Sequence, residues 1–321
     1  MGRDDGLVSS VLTALGTLGA VVLAGYLLGR FRVLGEHAAT VLARVVFTVA
    51  IPALLIVTVG RADLHVVLSR TAAVTAVSTA IVVVGVAVVV RGLWRRPAGE
   101  ATIATLGASY VNAAHLGLPL AVFLFGDAVY VVPTMLFQLL ILAPLAFTIL
   151  DADVARDAEG RRRRPVAAAR ATAARVVRNP IIVATATGLV LAALPWKPPD
   201  VWFGPFELVG AAAAPLALLV FGSTLAVPRT LGAEAPRRDV WFASIAKSVV
   251  HPGVAALVGL AFGLDRFGLL VVTAMAALPT AQNVLVYALQ YGRGQALARD
   301  VGLWSTVLLV PALLVISAAL A

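Results

Sequence analysis

Stretches of roughly twenty apolar residues, broken by short polar turns, repeat along nearly the whole chain. Ten such stretches can be drawn: Leu7–Gly29, Ala38–Val59, Thr71–Val90, Ala101–Phe125, Val129–Leu150, Val177–Leu194, Phe206–Val227, Val240–Phe262, Leu269–Gln290 and Val301–Leu320. Each has the length a helix needs to cross a bilayer, about 20 residues at 1.5 Å each. The segments lack the ten-residue alternation of barrel strands. A helix also satisfies its own backbone hydrogen bonds in lipid. The pattern predicts an all-α integral membrane protein with ten transmembrane helices.

The polar residues divide this array. The longest polar stretch follows the fifth span and contains Arg161, Arg162, Arg163 and Arg164 in a row. It predicts a first five-helix repeat over 1–151, an Arg-rich cytoplasmic loop over 152–175 and a second five-helix repeat over 176–321. Five is odd, so the second half enters the membrane upside down relative to the first: the arithmetic of an inverted repeat. Two local likenesses fit. Pro52 in AIPALLIVTVG matches Pro215 in AAPLALLVFGSTLA, and FLFG (Phe123 to Gly126) matches LQYG (Leu289 to Gly292), at offsets of 163 and 166.

Composition then fixes class and orientation. The 321 residues are 61% hydrophobic and 13% charged, with a net charge of +9. A basic chain can bind nucleic acid, but basic residues also collect in the cytoplasmic loops of membrane proteins. Of the 25 Lys and Arg residues, 18 fall in the loops on one side of the ten predicted spans and 5 on the other. That bias predicts a bacterial inner-membrane protein with both termini outside and no nucleic-acid partner. With no cysteine, disulfides and thiolate chemistry are excluded. The first span lacks a basic leader, since Asp4 and Asp5 offset Arg3, and reads as a retained helix.

Candidate chemistry gathers in helices 4 and 9, which hold the same place in each half. Helix 4 contains Asn112, His115, Gly117 and Pro119, and helix 9 contains Pro279, Thr280, Gln282 and Asn283. A proline removes one helical N–H, so Pro119 leaves the carbonyl of His115, and Pro279 that of Met275, without a donor. Polar, proline-containing segments in corresponding helices are a sequence pointer to a transporter's substrate site. If both helices break near mid-membrane, the N-termini of their second halves converge with free N–H groups and a partial positive charge. Such a site suits a carboxylate, and neither helix supplies an acid to repel it. Gln138 is a candidate for lining the cavity. Lys247 and His251 share a face of helix 8, and intramembrane ionisable residues are functional candidates; Lys247 is also placed to snorkel to the interface. Arg44 reads as a snorkelling residue and the tryptophans as interfacial anchors. No enzyme motif, ATP loop, cofactor signature or metal-ligand spacing is found, so the expectation is a non-enzyme whose transport is passive or gradient-driven.

The segments NAAHLGLPLAVFLFG from Asn112, RNPIIVATATGLVL from Arg178, AAAAPLALLVFGSTLA from Ala211 and ALPTAQNVLVYALQYG from Ala277 resemble the auxin efflux carrier family. That family includes plant PIN-type auxin carriers and bacterial permeases assigned to malate or malonate. The resemblance covers essentially the whole chain. It implies crossing, broken helices 4 and 9, a scaffold of helices 1, 2, 6 and 7, and a mobile transport domain of helices 3–5 and 8–10. It further implies that Asn112 is the crossing-point asparagine and Pro279 the helix 9 proline. Relatives often carry a proline immediately before that asparagine; Val111 stands there instead, which moves the expected break toward Gly117–Pro119. The function expected is secondary transport, with efflux preferred, of a small organic anion by alternating access. The expected partners are that anion, the lipid bilayer and a second copy docked through the scaffold. Two readings stay open beside it: a sodium-coupled importer of the bile-acid symporter type and a non-transporting membrane sensor.

Overall fold

The computed structural model describes residues 4–33, 35, 38–61, 69–157, 178, 180–194, 199–226 and 235–320. The Arg161–Arg164 run and the loop around it lie outside the described residues. All regular structure among the described residues is helical. The helices are α1 (Asp4–Arg30), α2 (residues 38–61), α3 (Arg70–Leu93), α4 (Ala98–Ser109), α5 (Ala113–Phe125), α6 (residues 128–157), α7 (Pro180–Ala193), α8 (Asp200–Gly210), α9 (Ala213–Leu225), α10 (Arg237–Ala261), α11 (Arg266–Ala277), α12 (Gln282–Tyr291) and α13 (Gln295–Leu320).

Among the described residues six segments are long and apolar enough to cross a membrane: Val41–Arg61, Arg70–Leu93, Ala128–Val154, Asp200–Ser223, Arg237–Ala261 and Gln295–Leu320. Four shorter apolar helices accompany them, at Gly16–Arg30, Ala113–Phe125, Pro180–Ala193 and Arg266–Ala277. Part of the shortening has a clear cause. The segments expected as single spans 4 and 9 are each interrupted, so α4 and α5 are separated by Tyr110–Asn112 and α11 and α12 by Leu278–Ala281. The segment expected to end at Leu150 instead stays helical to Asp157, six residues into the stretch read as loop.

Local chemistry explains several ends. Ser69 caps α3 by accepting from the Ala72 N–H, and Asp265 caps α11 by accepting from the Gly268 N–H. α5 and α12 both stop at a glycine in the left-handed region, Gly126 (φ 78°) and Gly292 (φ 66°), where a side chain would be strained. These are the glycines of the FLFG and LQYG likeness. Five single π turns interrupt the helices, three of them holding Gln138, His115 and Lys247; such turns are common at functional sites.

Packing divides the helices into two groups. α1 lies against α9, and α2 against α7 and α8. The α1–α9 crossing depends on small residues: a Cβ on Gly222 would stand 2.0 Å from the Val22 carbonyl oxygen and one on Gly25 2.3 Å from that of Leu219. Such backbone approach is how helices associate in lipid. In the second group, α3, α4 and α6 pack together, as do α10, α11 and α13, and the two triplets meet through α3–α10 and α4–α13. The two interrupted segments run through this second group, and a buried apolar cluster around Leu118, Val131, Met275 and Leu278 surrounds their meeting point.

Candidate functional site

The two interruptions touch. Val111 and Thr280 form an isolated antiparallel bridge. The Asn112 N–H donates to the Pro279 carbonyl at 2.8 Å, and the Ala281 N–H donates to the Tyr110 carbonyl at 2.9 Å. Backbone groups released by each broken helix are therefore satisfied by the other, as a buried, water-poor location requires. Side chains finish the junction. Gln138 accepts from the Val111 N–H, Ser305 accepts from the Thr280 N–H at 3.0 Å, and the Thr280 hydroxyl donates to the Gly107 carbonyl at 2.6 Å.

The first break lies at Tyr110–Asn112, where the family resemblance puts it, not at the displaced position Gly117–Pro119. Proline is not needed before Asn112, because the neighbouring interruption and Gln138 take over the hydrogen bonds. Pro119 sits instead in the first turn of a continuous α-helical segment, where a missing N–H is tolerated. Gly117 packs: a Cβ there would come 2.7 Å from Leu278 Cδ1 and 3.0 Å from Val131 Cγ2.

A narrow cleft opens beside the junction, and Asn112, His115, Gln138, Gln282, Asn283 and Tyr110 line it. Five of the sequence-predicted residues thus come together, whereas Gly117 and Pro119 stand away from the cleft. Asn112 is 2% exposed; its Oδ1 accepts from the His115 N–H at 3.3 Å, capping α5, while its Nδ2 is buried with no partner. An amide with an unused donor facing a cleft is a ready contact for an anionic oxygen. At the second break α12 begins after Ala281 without a side-chain cap, and Gln282 and Asn283 of its first turn line the same cleft. Thr280 is buried and spent on the junction; Pro279 contributes its carbonyl.

Lys247 behaves as neither expectation supposed. It does not snorkel, being 0% exposed, and it does not line the cleft. Its ammonium donates to the Ala276 carbonyl at 2.6 Å and lies 3.0 Å from His251 Nδ1. Ala276 would bond to the N–H of residue 280 in an unbroken helix, but Thr280 has turned to Ser305. Lys247 therefore closes the C-terminal end of α11, where a cation also suits the helix dipole. His251 extends the chain through Nε2 to the Thr79 hydroxyl at 3.2 Å, and reaches a second polar pocket with Ser109, Thr134 and Gln138, the last of which also lines the cleft.

This arrangement of two interrupted helices around a polar cleft is accompanied by clear sequence kinship. The profile of the family described as "Membrane transport protein" matches residues 10–317. The chain belongs to this family. The resemblance to auxin efflux carriers is thereby borne out. A protein of Rhizobium meliloti (strain 1021) named "Putative malonate transporter" is 29% identical over 299 residues, covering 90% of this chain and 89% of that protein. One of Escherichia coli (strain K12) named "Uncharacterized transporter YfdV" is 24% identical over 279 residues, covering 84% and 85%. The chain is a multi-pass membrane protein of a transport family.

Sequence reasoning missed Ser305, Gly107 and Arg299. Ser305 serves the junction through a hydroxyl that accepts the Thr280 N–H, and Gly107 through its backbone carbonyl, neither of which leaves a mark in composition. Arg299 was counted among loop residues but lies within α13 and lines a further cleft with Thr280 and Gln282.

Proposed function

We propose that the protein is a secondary carrier of a small organic anion, a carboxylate, bound at the crossing of the two interrupted helices. The observation that carries this reading is the buried, unpartnered Nδ2 of Asn112 in a cleft it shares with Gln282 and Asn283 at the uncapped start of α12. A carboxylate there accepts from an amide donor and from a helix N-terminus, and among the lining residues no acid opposes it. The malonate relative supports the choice of a carboxylate.

The same reading has ten spans arranged as an inverted five-plus-five repeat, with α4–α5 as span 4 and α11–α12 as span 9. Three features support it. α1 packs on α9 as α2 packs on α7, which are equivalent pairs under such a repeat. The interruptions fall in corresponding segments. Both second halves end at left-handed glycines. In this reading α1, α2 and α7–α9 form the scaffold, and the group containing the junction moves against it in alternating access. Both termini face outward, the Arg-rich loop is cytoplasmic in an inner membrane, and the scaffold carries any homodimer contact. Export is the direction an inside-negative potential favours, by about 2.3 kcal/mol per charge per 100 mV.

Counterflow in proteoliposomes tests the function. Vesicles preloaded with unlabelled malonate should accumulate labelled malonate, without a sodium requirement. Asn112→Ala and Asn283→Ala should abolish the signal while leaving the purified protein monodisperse. Binding without counterflow would point to a sensor, strict sodium dependence to a coupled importer, and wild-type rates in both variants would remove the site.

A further inference from the structure

A second cleft reaches the junction from elsewhere. It is lined by Phe221 and Leu225 of α9, Thr280 and Gln282 at the second interruption, and Arg299 and Thr306 of α13. It therefore runs between the α1–α9 group and the group that holds the junction. Its inner end is fixed by Thr280, whose N–H rests on Ser305 of α13. Arg299 is six residues nearer the start of α13, about 9 Å along the axis, and only one turn from Gln295. Helical side chains lean toward the N-terminus, so its guanidinium lies toward the α13 N-terminal end of the cleft, away from Thr280. The Arg299 side chain is 13% exposed and its Nε lies 2.6 Å from Oδ1 of Asp300. The apolar residues of α9 form the opposite wall. A cation on one rim of a low-dielectric passage focuses the local field on anions.

We propose that this cleft is the anion's path between the α13 N-terminal face and the crossing, and that Arg299 recruits the anion at its mouth while Asp300 opposes entry and holds Arg299 between passages. The inference rests on the carrier reading above, and adds to it a residue that sets access from one face only. Asn112 and the start of α12 hold the substrate; Arg299 acts earlier, so its loss should weaken capture and leave the translocation step unchanged.

The test is labelled malonate transport by vesicles of both orientations, with substrate offered to each face in turn. Arg299→Gln should raise KM about three- to tenfold on the α13 N-terminal face at low salt with Vmax from that face unchanged, and Vmax from the other face should fall by the same factor with its KM unchanged, because Vmax/KM without a gradient must stay equal in the two directions. High ionic strength should erase the difference from wild type. Arg299→Lys should restore low KM, and Asp300→Asn should lower it on the same face. Wild-type protein provides a check that needs no variant: its KM should rise with ionic strength more steeply on that face than on the other. An ion pair that only stabilises α13 predicts that Arg299→Gln and Asp300→Asn act in the same direction and lower Vmax from both faces; that result overturns the proposal, as does equal salt sensitivity on the two faces. Wild-type vesicles that move no malonate in counterflow would instead overturn the carrier reading, and this inference with it.

Discussion

The two helix interruptions solve the same problem in different ways. Each must end a helix and begin another inside a buried, apolar environment, and each satisfies part of its backbone through the other. At the first, the ends are closed by neutral groups. The Gly107 carbonyl takes the Thr280 hydroxyl, the Val111 N–H takes Gln138, and Asn112 caps α5 with its own side chain. At the second, the Ala276 carbonyl takes the ammonium of Lys247, and α12 starts with no side-chain cap. The first is thus self-contained and the second is open on its positive end. The anion proposed above would complete the second break and has no equivalent position at the first. Asn112 belongs to both, since Oδ1 finishes the first break while Nδ2 faces the cleft beside the second.

That contrast can be broken at Asn112 with the largest effect. Asn112→Asp keeps an oxygen able to cap α5 but replaces the unpartnered amide donor with a group of the same charge as the anion. Carboxylate binding, followed by thermal shift with malonate, should disappear, while the melting temperature without ligand stays close to wild type. Equal loss of stability and binding would show that capping is the residue's whole role.

Lys247 sharpens the comparison from the other side. Lys247→Met preserves length and apolar stem but leaves the Ala276 carbonyl and His251 Nδ1 without their donor. A buried acceptor left unpaired costs about 1–3 kcal/mol, so a clear drop in denaturation midpoint is expected. Malonate affinity at the folded state should change little, because the ammonium is held by Ala276 and His251 and does not line the cleft. A large loss of affinity with unchanged stability would instead put Lys247 in the substrate site.

The smallest effect is expected at Thr280→Val. It removes the neutral hydrogen bond to the Gly107 carbonyl at the first break and the 3.2 Å contact from the Ser305 hydroxyl, and should lower stability by about 1 kcal/mol. The Ser305 contact to the backbone N–H remains, so the bridge to Val111 should persist. Measured in the same denaturation assay, a loss larger than that of Lys247→Met would reverse the ranking of the two ends.

Much of this was legible in the chain. The all-helical membrane class, the transport family and the pairing of polar, proline-bearing segments follow from apolar run length and from the residues around Asn112 and Pro279. Gly126 and Gly292 were visible as a repeated feature, and the left-handed caps supply its physical basis. The first break was not correctly legible: Val111 argued for a displaced site, because sequence shows the missing proline but not the Gln138 side chain that replaces its effect. Lys247 was equally opaque. A lysine one turn before a histidine reads as snorkelling or cavity-lining, and only the position of α11 reveals a carbonyl for it to cap.

The sequence by itself determined the solvent each segment prefers and the positions where a helix cannot continue unaided, since both depend on side-chain hydrophobicity and on local backbone chemistry. Which carbonyl Lys247 meets, where the first helix stops, and that Arg299 faces a cleft rather than a loop were decided only by tertiary structure. In the dry interior every backbone group released at a break must find a partner, and that partner is supplied by segments up to 173 residues away.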